Sequence, residues 1–249
     1  NHSTKIVGLT ATPGRHGILG NTEETSKLAV FYEQNKISIV GDHGETLKDP
    51  IRYLTDKGVL ANVERFSIDS EAKVELTDYE TKKMSDLLDI PSSVLKKLGA
   101  NVLRNNKIVS AAMIESEQKK FPTIIFAPSK DSAIDIALLI RLNGGDARAV
   151  LGDTPSTDRE QYIKDFKNGK LNILVNYGVL TTGFDAPNIK SVIIARPTTS
   201  VVLYSQMIGR GLRGKLMGGE DHCDIIDVHD NILNMPSSDQ AYTFFNDFF

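Results

Sequence analysis

Short apolar runs alternate with amphipathic segments through the chain, and this alternation predicts its secondary structure. Seven runs typical of strands lie at residues 6–9, 63–68, 123–127, 146–150, 172–176, 191–195 and 222–228. Apolar residues at helical spacing fill most of the intervals, as over residues 102–119. Strands separated by helices predict an α/β fold with a doubly wound parallel sheet and right-handed crossovers. Ligands of such sheets bind beyond the carboxyl ends of the strands, where we expect the functional residues.

Capping and turn residues indicate where several helices begin and end. Pro50 predicts a helix start, because proline fits the first helical turn. Ser129 is the predicted N-cap of a helix that ends at Gly144. Thr157 and Glu160 have the spacing of a capping box and predict another helix start.

Residues 69–101 are charged, rich in lysine and only weakly periodic, which predicts a helical insert. Its lysines include Lys82, Lys83, Lys96 and Lys97. Such side chains can follow a nucleic-acid backbone. A solvated helix face is the interpretation that we favour.

The segment most suggestive of chemistry contains Gln206, Arg210 and Arg213. In a helix, at about 100° per residue, these three side chains would fall within roughly 60° of one another, opposite an apolar stripe. Guanidinium groups bind phosphate oxygens through paired hydrogen bonds and keep their charge. Gly209 and Gly211 each cost a helix of order 1 kcal/mol, and so predict the close approach of another group. A surface helix with solvated arginines is the alternative.

Composition limits the class of protein. The chain has 249 residues and a net charge of −3, which argues against wrapping nucleic acid by bulk charge but allows a local basic groove. The single cysteine, Cys223, excludes an intrachain disulfide and fits a reducing compartment, so we predict a cytoplasmic location and a core position for this residue. No apolar run reaches about 18 residues, so no membrane span is predicted. The histidines lack metal-ligand spacing with Cys223, so no metal site is predicted.

Four segments, in chain order, resemble motifs III to VI of the superfamily 2 helicases and translocases. Motif III is similar to Leu9-Thr10-Ala11-Thr12-Pro13, and motif IV is similar to Phe126-Ala127-Pro128-Ser129-Lys130. Motif V is similar to residues 177–187, and motif VI is similar to Gln206-x-x-Gly209-Arg210-x-x-Arg213. The run Arg196-Pro197-Thr198-Thr199-Ser200 resembles the branch that contains restriction-enzyme motor subunits.

This resemblance implies a pair of RecA-like domains, of which the chain holds the second. Residues 1–61 would be the remnant of the first domain together with the connection. Residues 62–249 would be the second domain, the helicase C-terminal domain, with the helical insert near residues 69–101.

The resemblance also implies roles for single residues. Arg213 would be the arginine finger on the γ-phosphate of ATP, with Arg210 beside it as a second catalytic residue. The nucleotide would also be bound by Gln206, Gly183 and Asp185. The nucleic-acid backbone would be held by Ser129, Lys130, Thr154, Thr181 and Thr182, and the two domains would be coupled by Thr10 and Thr12.

Two elements of the family are missing from the sequence. It contains no Gly-x-x-x-x-Gly-Lys-Ser/Thr loop for a triphosphate, and no Asp-Glu pair before Thr10 to hold a metal. We therefore expect the carboxy-terminal half of an ATP-dependent helicase, which shares ATP and Mg²⁺ with an upstream RecA-like domain and does not hydrolyse ATP alone. The branch favours DNA over RNA. The alternatives are the duplex DNA translocase of a restriction system and a non-catalytic nucleic-acid-binding module of the same fold.

Overall fold

The computed structural model of the chain describes residues 27, 30–32, 39–87, 89–179 and 188–232. Its helices are α1 (Pro50–Asp56), α2 (Asp78–Leu87), α3 (Ser92–Gly99), α4 (Val102–Met113), α5 (Lys130–Leu142), α6 (Ser156–Lys167) and α7 (Val201–Ile208). One π-helical turn (Ile114–Gln118) prolongs α4, and one 3₁₀ turn (Lys215–Met217) follows α7. The strands are β1 (Asn62–Val74), β2 (Thr123–Phe126), β3 (Ala147–Val150), β4 (Ile173–Asn176), β5 (Ser191–Ile194) and β6 (His222–Ile232).

The strands form one parallel sheet in the order β1-β6-β5-β2-β4-β3. Every residue of β2, β4 and β5 is buried. A parallel strand that is covered on both faces consists of a nearly continuous apolar run. The positions of these strands could therefore be predicted from the sequence. The prediction of an α/β, doubly wound parallel sheet is confirmed.

Helices cover both faces of the sheet. On one face, Ile136 and Ile140 of α5 pack with residues of α4 against Ile125 and Val175 of the central strands. On the other face, α6 and α7 pack on the alternate strand residues, with Phe166 and Met207 buried. In the described part of the chain, none of these helices has the length and apolar character that crossing a membrane requires.

β1 and β6 run past the carboxyl ends of the other strands. Asp227 of β6 pairs with Ile194, the last residue of β5, but β6 continues to Ile232 beside Val74. Helix α3 packs on this extension through Val94, Leu95 and Leu98, which are buried with Ala72 and Ile232. The predicted insert was therefore wrong for residues 69–74, which belong to β1, because β6 supplies hydrogen-bonding partners that the local pattern does not reveal.

The predicted helix starts had different outcomes. Pro50 begins α1, and the Ser129 side chain caps α5 by accepting a hydrogen bond from the Ser132 backbone N–H (3.2 Å). The predicted capping box at Thr157 was wrong: α6 begins at Ser156, so Thr157 already lies inside the helix, beyond the position from which a hydroxyl caps.

Candidate nucleotide and nucleic-acid sites

Three of the predicted nucleic-acid residues follow strand ends at one edge of the sheet. Ser129 and Lys130 follow β2, and Thr154 follows β3. Because β2, β3 and β4 are parallel and in register at Phe126, Val150 and Asn176, these loops emerge at the same edge. We call it the carboxyl edge.

An ion pair joins the loops after β2 and β3 at this edge. Lys130 Nζ contacts a carboxylate oxygen of Asp153, and both side chains are about half exposed. The Asp153 carboxylate raises the pKa of Lys130, and Lys130 in turn lowers the pKa of Asp153. Water screens such a surface pair, so the lysine can exchange its partner for a phosphate at little cost.

The loop after β3 is held by an arginine that sequence reasoning missed. Arg159 of α6 donates from Nη2 to the carbonyls of Leu151, Gly152 and Thr154, each at 3.1 Å. The Thr154 hydroxyl accepts from the Leu151 N–H (2.9 Å) and retains its own proton to donate. These hydrogen bonds hold the loop in one conformation and fix the orientation of the Thr154 side chain.

The segment after β5, residues 195–200, is bound to the helical insert through Asp89. One Asp89 oxygen (Oδ2) accepts from Arg196 Nη2 at 2.9 Å. The other (Oδ1) accepts from the Thr198 hydroxyl at 2.8 Å and from the Thr199 N–H at 3.2 Å. Asp89 lies between α2 and α3, and nothing in its local sequence signals these partners, which come more than a hundred residues later.

The same segment is held from a second side by a buried ion pair. Arg104 of α4 is fully buried and donates from Nε and Nη2 to the two oxygens of Asp230, at 2.7 and 2.8 Å. Its Nη2 also donates to the carbonyl of Ala195. The Ser70 hydroxyl completes the cluster by donating to Asp230 at 2.6 Å. α4, β1 and β6 therefore all converge on the end of β5.

The predicted single helical face of Gln206, Arg210 and Arg213 was wrong. Helix α7 ends at Ile208, so Gln206 lies on the helix and Arg210 in the turn that follows. Arg213 is extended and forms an antiparallel bridge with Leu60. Leu60 lies just before β1 begins, so α7 carries the chain back from the carboxyl edge to the amino end of the sheet. The arginines therefore do not share an edge with Ser129, Lys130 and Thr154.

Gly211 lies against the sheet in the segment that follows α7. A Cβ atom there would lie 2.2 Å from Cys223 Sγ and 2.8 Å from Val192 Cγ2. The close approach predicted for this glycine therefore exists, but the approaching group is the sheet and not a ligand. The chain then runs beside residues 58–61, and the Ala61 N–H donates to the Leu212 carbonyl at 3.0 Å.

Arg210 is half-buried in the turn that follows α7. Its Nε donates to the Gln206 carbonyl at 3.3 Å, which connects two of the predicted nucleotide-binding residues. Partial burial lowers the pKa of the Arg210 guanidinium. A guanidinium in such a low-dielectric position attracts a phosphate more strongly than one in bulk water.

Six predicted residues lie outside the described part of the chain. They are Thr10, Thr12, Thr181, Thr182, Gly183 and Asp185. The roles that motifs III and V imply for them stay predictions.

A separate cluster of His, Asp and Glu side chains lies at the amino end of the sheet. Ligand-type atoms of Glu64, His222 and Asp224 lie within 4.8 Å of one another, a grouping that a search for His–Cys spacing misses. The cation at this cluster is Lys119, whose Nζ lies 2.6 Å from Asp224 Oδ2, while His222 Nε2 lies 2.6 Å from Oδ1. The neighbouring Cys223 is buried, as predicted, and burial raises its pKa to about 12, which argues against a nucleophilic role.

Comparison with known proteins identifies relatives of this chain. The family described as helicase conserved C-terminal domain matches residues 104–215, a range that includes Gln206, Arg210 and Arg213. The "Putative ATP-dependent helicase IRC3" of Saccharomyces cerevisiae is 34% identical over 160 residues, which are 64% of this chain and 21% of that protein. The "Putative mitochondrial ATP-dependent helicase irc3" of Schizosaccharomyces pombe is 36% identical over 124 residues, which are 50% of this chain and 20% of that protein. The chain thus spans about one fifth of the length of these relatives.

A solved structure supports the fold. The fragment of a putative HsdR subunit of a type I restriction enzyme from Vibrio vulnificus YJ016 is similar with a TM-score of 0.59 and 21% identity, over 88% of this chain and 38% of that one. At this identity the likeness concerns the fold alone. Residues 104–215 thus match the helicase conserved C-terminal domain, and the chain has a RecA-like α/β fold.

Proposed function

We propose that the full-length protein is an ATP-dependent helicase and that this chain supplies the arginine finger to an ATP site shared with an upstream RecA-like domain. The observation that carries the proposal is the helicase-domain match over residues 104–215, which contains both arginines. Both relatives carry the name of a putative ATP-dependent helicase, and the chain corresponds to about a fifth of each.

The side chains present fit a nucleotide phosphate. Arg210 is partly buried, and its Nε donates to the Gln206 carbonyl, which restrains the guanidinium at the end of α7. Arg213 is fixed in an extended segment beside Leu60. In the proposed mechanism, Arg213 stabilises the charge that develops on the transferring phosphoryl group, an effect of about 10³–10⁵ in rate. ATP would bring Mg²⁺, held mainly by the upstream domain, to neutralise phosphate charge.

We propose that nucleic acid binds at the carboxyl edge. Ser129 lies at the start of α5, Lys130 can exchange Asp153 for a phosphate, and Thr154 presents a hydroxyl. Contacts of this kind reach the sugar-phosphate backbone, so sequence specificity should be low. DNA is preferred over RNA in this proposal because the Arg196–Ser200 run resembles the restriction-motor branch.

The test is ATP hydrolysis by the full-length protein, with and without single- and double-stranded DNA and RNA. We expect nucleic acid to stimulate turnover, and Arg213→Ala to reduce the stimulated kcat by about 10³-fold or more. Arg210→Ala should also reduce it. The matched control is Arg148→Ala, which removes an exposed arginine of β3 that pairs with Asp146 and should leave turnover unchanged.

ATP hydrolysis, measured together with strand separation and nucleic-acid binding, distinguishes the alternative functions. Turnover stimulated by duplex DNA without strand separation would identify a translocase. Nucleic-acid binding without turnover, unchanged by Arg213→Ala, would identify a non-catalytic binding module and would overturn the arginine-finger proposal. The best stimulant would also decide between DNA and RNA.

A further inference from the structure

The segment that connects β5 to α7 is hydrogen-bonded to residues that precede β2 in the chain. Arg104 donates to the carbonyl of Ala195, the residue after β5. Asp89 accepts hydrogen bonds from Arg196, Thr198 and Thr199. The start of α7 is therefore positioned by the insert and α4 as well as by its own strand.

Asp89 is held in place by the packing and hydrogen bonds of α2 and α3. Ile90, the next residue, is buried with Val94 and Leu98 of α3. α2 and α3 are joined through Glu80, which accepts from the Thr77 N–H (3.0 Å), Ser93 Oγ (2.8 Å) and Lys97 Nζ (2.9 Å). These partners, first the Thr77 N–H and then Lys97 and Ser93, lower the pKa of Glu80 to about 2.

The contacts continue from Asp89 into α7. The Thr198 hydroxyl, which donates to Asp89, accepts from the Ser200 N–H at 3.0 Å. The Ser200 side chain caps α7 by accepting from the Leu203 N–H at 3.2 Å. At about 1.5 Å per residue, the eight residues of α7 span roughly 12 Å. The helix ends at Ile208, two residues before Arg210, so it carries a displacement of its start toward the arginine end.

We propose that Asp89 is a positioning residue for the arginines of motif VI, and that it couples the helical insert at the carboxyl edge to the nucleotide site. The insert also reaches the nucleic-acid edge, because Gly99 at the end of α3 lies so close to Ser129 that a Cβ atom there would be 2.8 Å from Ser129 Oγ. Asp89 thus connects the edge that would bind nucleic acid with the helix that leads to Arg210. This inference rests on the function proposed above, since it assigns a role to the same arginines.

The proposal is tested with Asp89→Asn, Asp89→Ala and Arg196→Lys in the full-length protein. Misplacement of a catalytic group by about 1 Å costs roughly 10²-fold in rate. We therefore expect Asp89→Ala to lower the nucleic-acid-stimulated kcat between about 10- and 100-fold, with the KM for ATP nearly unchanged. Asp89→Asn should lie between this variant and wild type, because an amide oxygen still accepts from Thr198. Arg196→Lys, which keeps the charge but not the planar fork, should also be intermediate.

Two controls separate positioning from loss of structure. Glu80→Gln weakens the links within the insert without touching residues 195–200, and Glu71→Gln removes an exposed ion pair with Lys107. Neither should lower kcat as Asp89→Ala does, when thermal unfolding shows comparable folded fractions. In a double-mutant cycle, Asp89→Ala and Arg196→Ala should be non-additive in kcat.

The outcomes distinguish this inference from the proposed function. If Arg213→Ala abolishes stimulated turnover while Asp89→Ala behaves as wild type, the coupling is overturned and the arginine finger stands. If Glu80→Gln lowers kcat as much as Asp89→Ala, or if the cycle is additive, general stability of the insert replaces positioning by Asp89. If turnover is indifferent to Arg213, the function proposed above fails first.

Discussion

Gly211 lies so close to the sheet that a side chain at this position would collide with it. Cys223 and Val192 occupy the space that a Cβ atom would need, and both are fully buried, so neither can move aside at low cost. The result is a turn that brings Arg213 beside Leu60. The absence of a side chain at Gly211 lets the chain pass this close to the sheet two residues before Arg213.

We predict that Gly211→Ala destabilises the protein by about 1–3 kcal/mol, the usual cost of overpacking a core. Urea unfolding would measure the change. Gly152→Ala is the matched control, because its Cβ would meet only Val179 Cγ1 at 3.9 Å and its stability should match wild type. Equal stability of the two variants would contradict the proposed collision.

At the scale of elements, the two predicted helix starts at Ser129 and Thr157 differ in geometry. Ser129 has an extended backbone (φ −148°, ψ 165°) and lies immediately before α5, so its hydroxyl oxygen meets the N–H of the third helical residue. Thr157 is the second residue of α6, which follows Pro155 (φ −49°, ψ 141°). A hydroxyl inside a helix cannot make the capping bond, whatever its spacing to Glu160.

Ser129→Ala should therefore cost about 1 kcal/mol of stability, whereas Thr157→Ala should change it by less than about 0.5 kcal/mol. Both values come from denaturant unfolding under identical conditions. A cost for Thr157→Ala equal to that of Ser129→Ala would show that α6 begins elsewhere. Nucleic-acid binding by Ser129→Ala can be measured in parallel, because the same hydroxyl lies at the proposed binding edge.

At the scale of the whole molecule, the Arg104–Asp230 pair connects elements that are distant in the chain. The two side chains are 0% and 1% exposed, and they join α4 to β6, with Ala195 and Ser70 as further partners. A buried charge that loses its partner is costly, because the interior cannot solvate it as water does. The pair therefore resists the separation of β1, β5 and β6 at their carboxyl ends.

We expect Asp230→Ala to destabilise the protein by about 3–5 kcal/mol, since Arg104 would remain buried without its carboxylate. The double variant Arg104→Met, Asp230→Ala should be more stable than Asp230→Ala alone, because no buried charge is left uncompensated. Chemical denaturation of the wild type, the single variants Arg104→Met and Asp230→Ala, and the double variant measures these changes in stability. A double variant less stable than both single variants would show that the pair contributes more through its specific contacts than it costs by desolvation.

Sequence alone indicated the central strands of a parallel sheet and the resemblance to helicases. β2, β4 and β5 are buried on both faces, so nearly every residue in them is apolar, and that pattern stands out locally. Ser129 as an N-cap and the motif VI spacing of Gln206, Arg210 and Arg213 are also local patterns, which need no knowledge of distant residues. The helicase-domain match over residues 104–215 confirms the resemblance to helicases, while the roles of the single residues stay predictions.

Only the tertiary structure decided where elements end and which polar groups meet. α7 ends at Ile208, and Gly211 then packs on Cys223 and Val192. β1 extends to Val74 because β6 lies beside it. The partners of Asp89 lie 107 to 110 residues further along the chain. Such contacts depend on how helices and strands pack. The residues next to Asp89 in the sequence therefore carry no information about its partners.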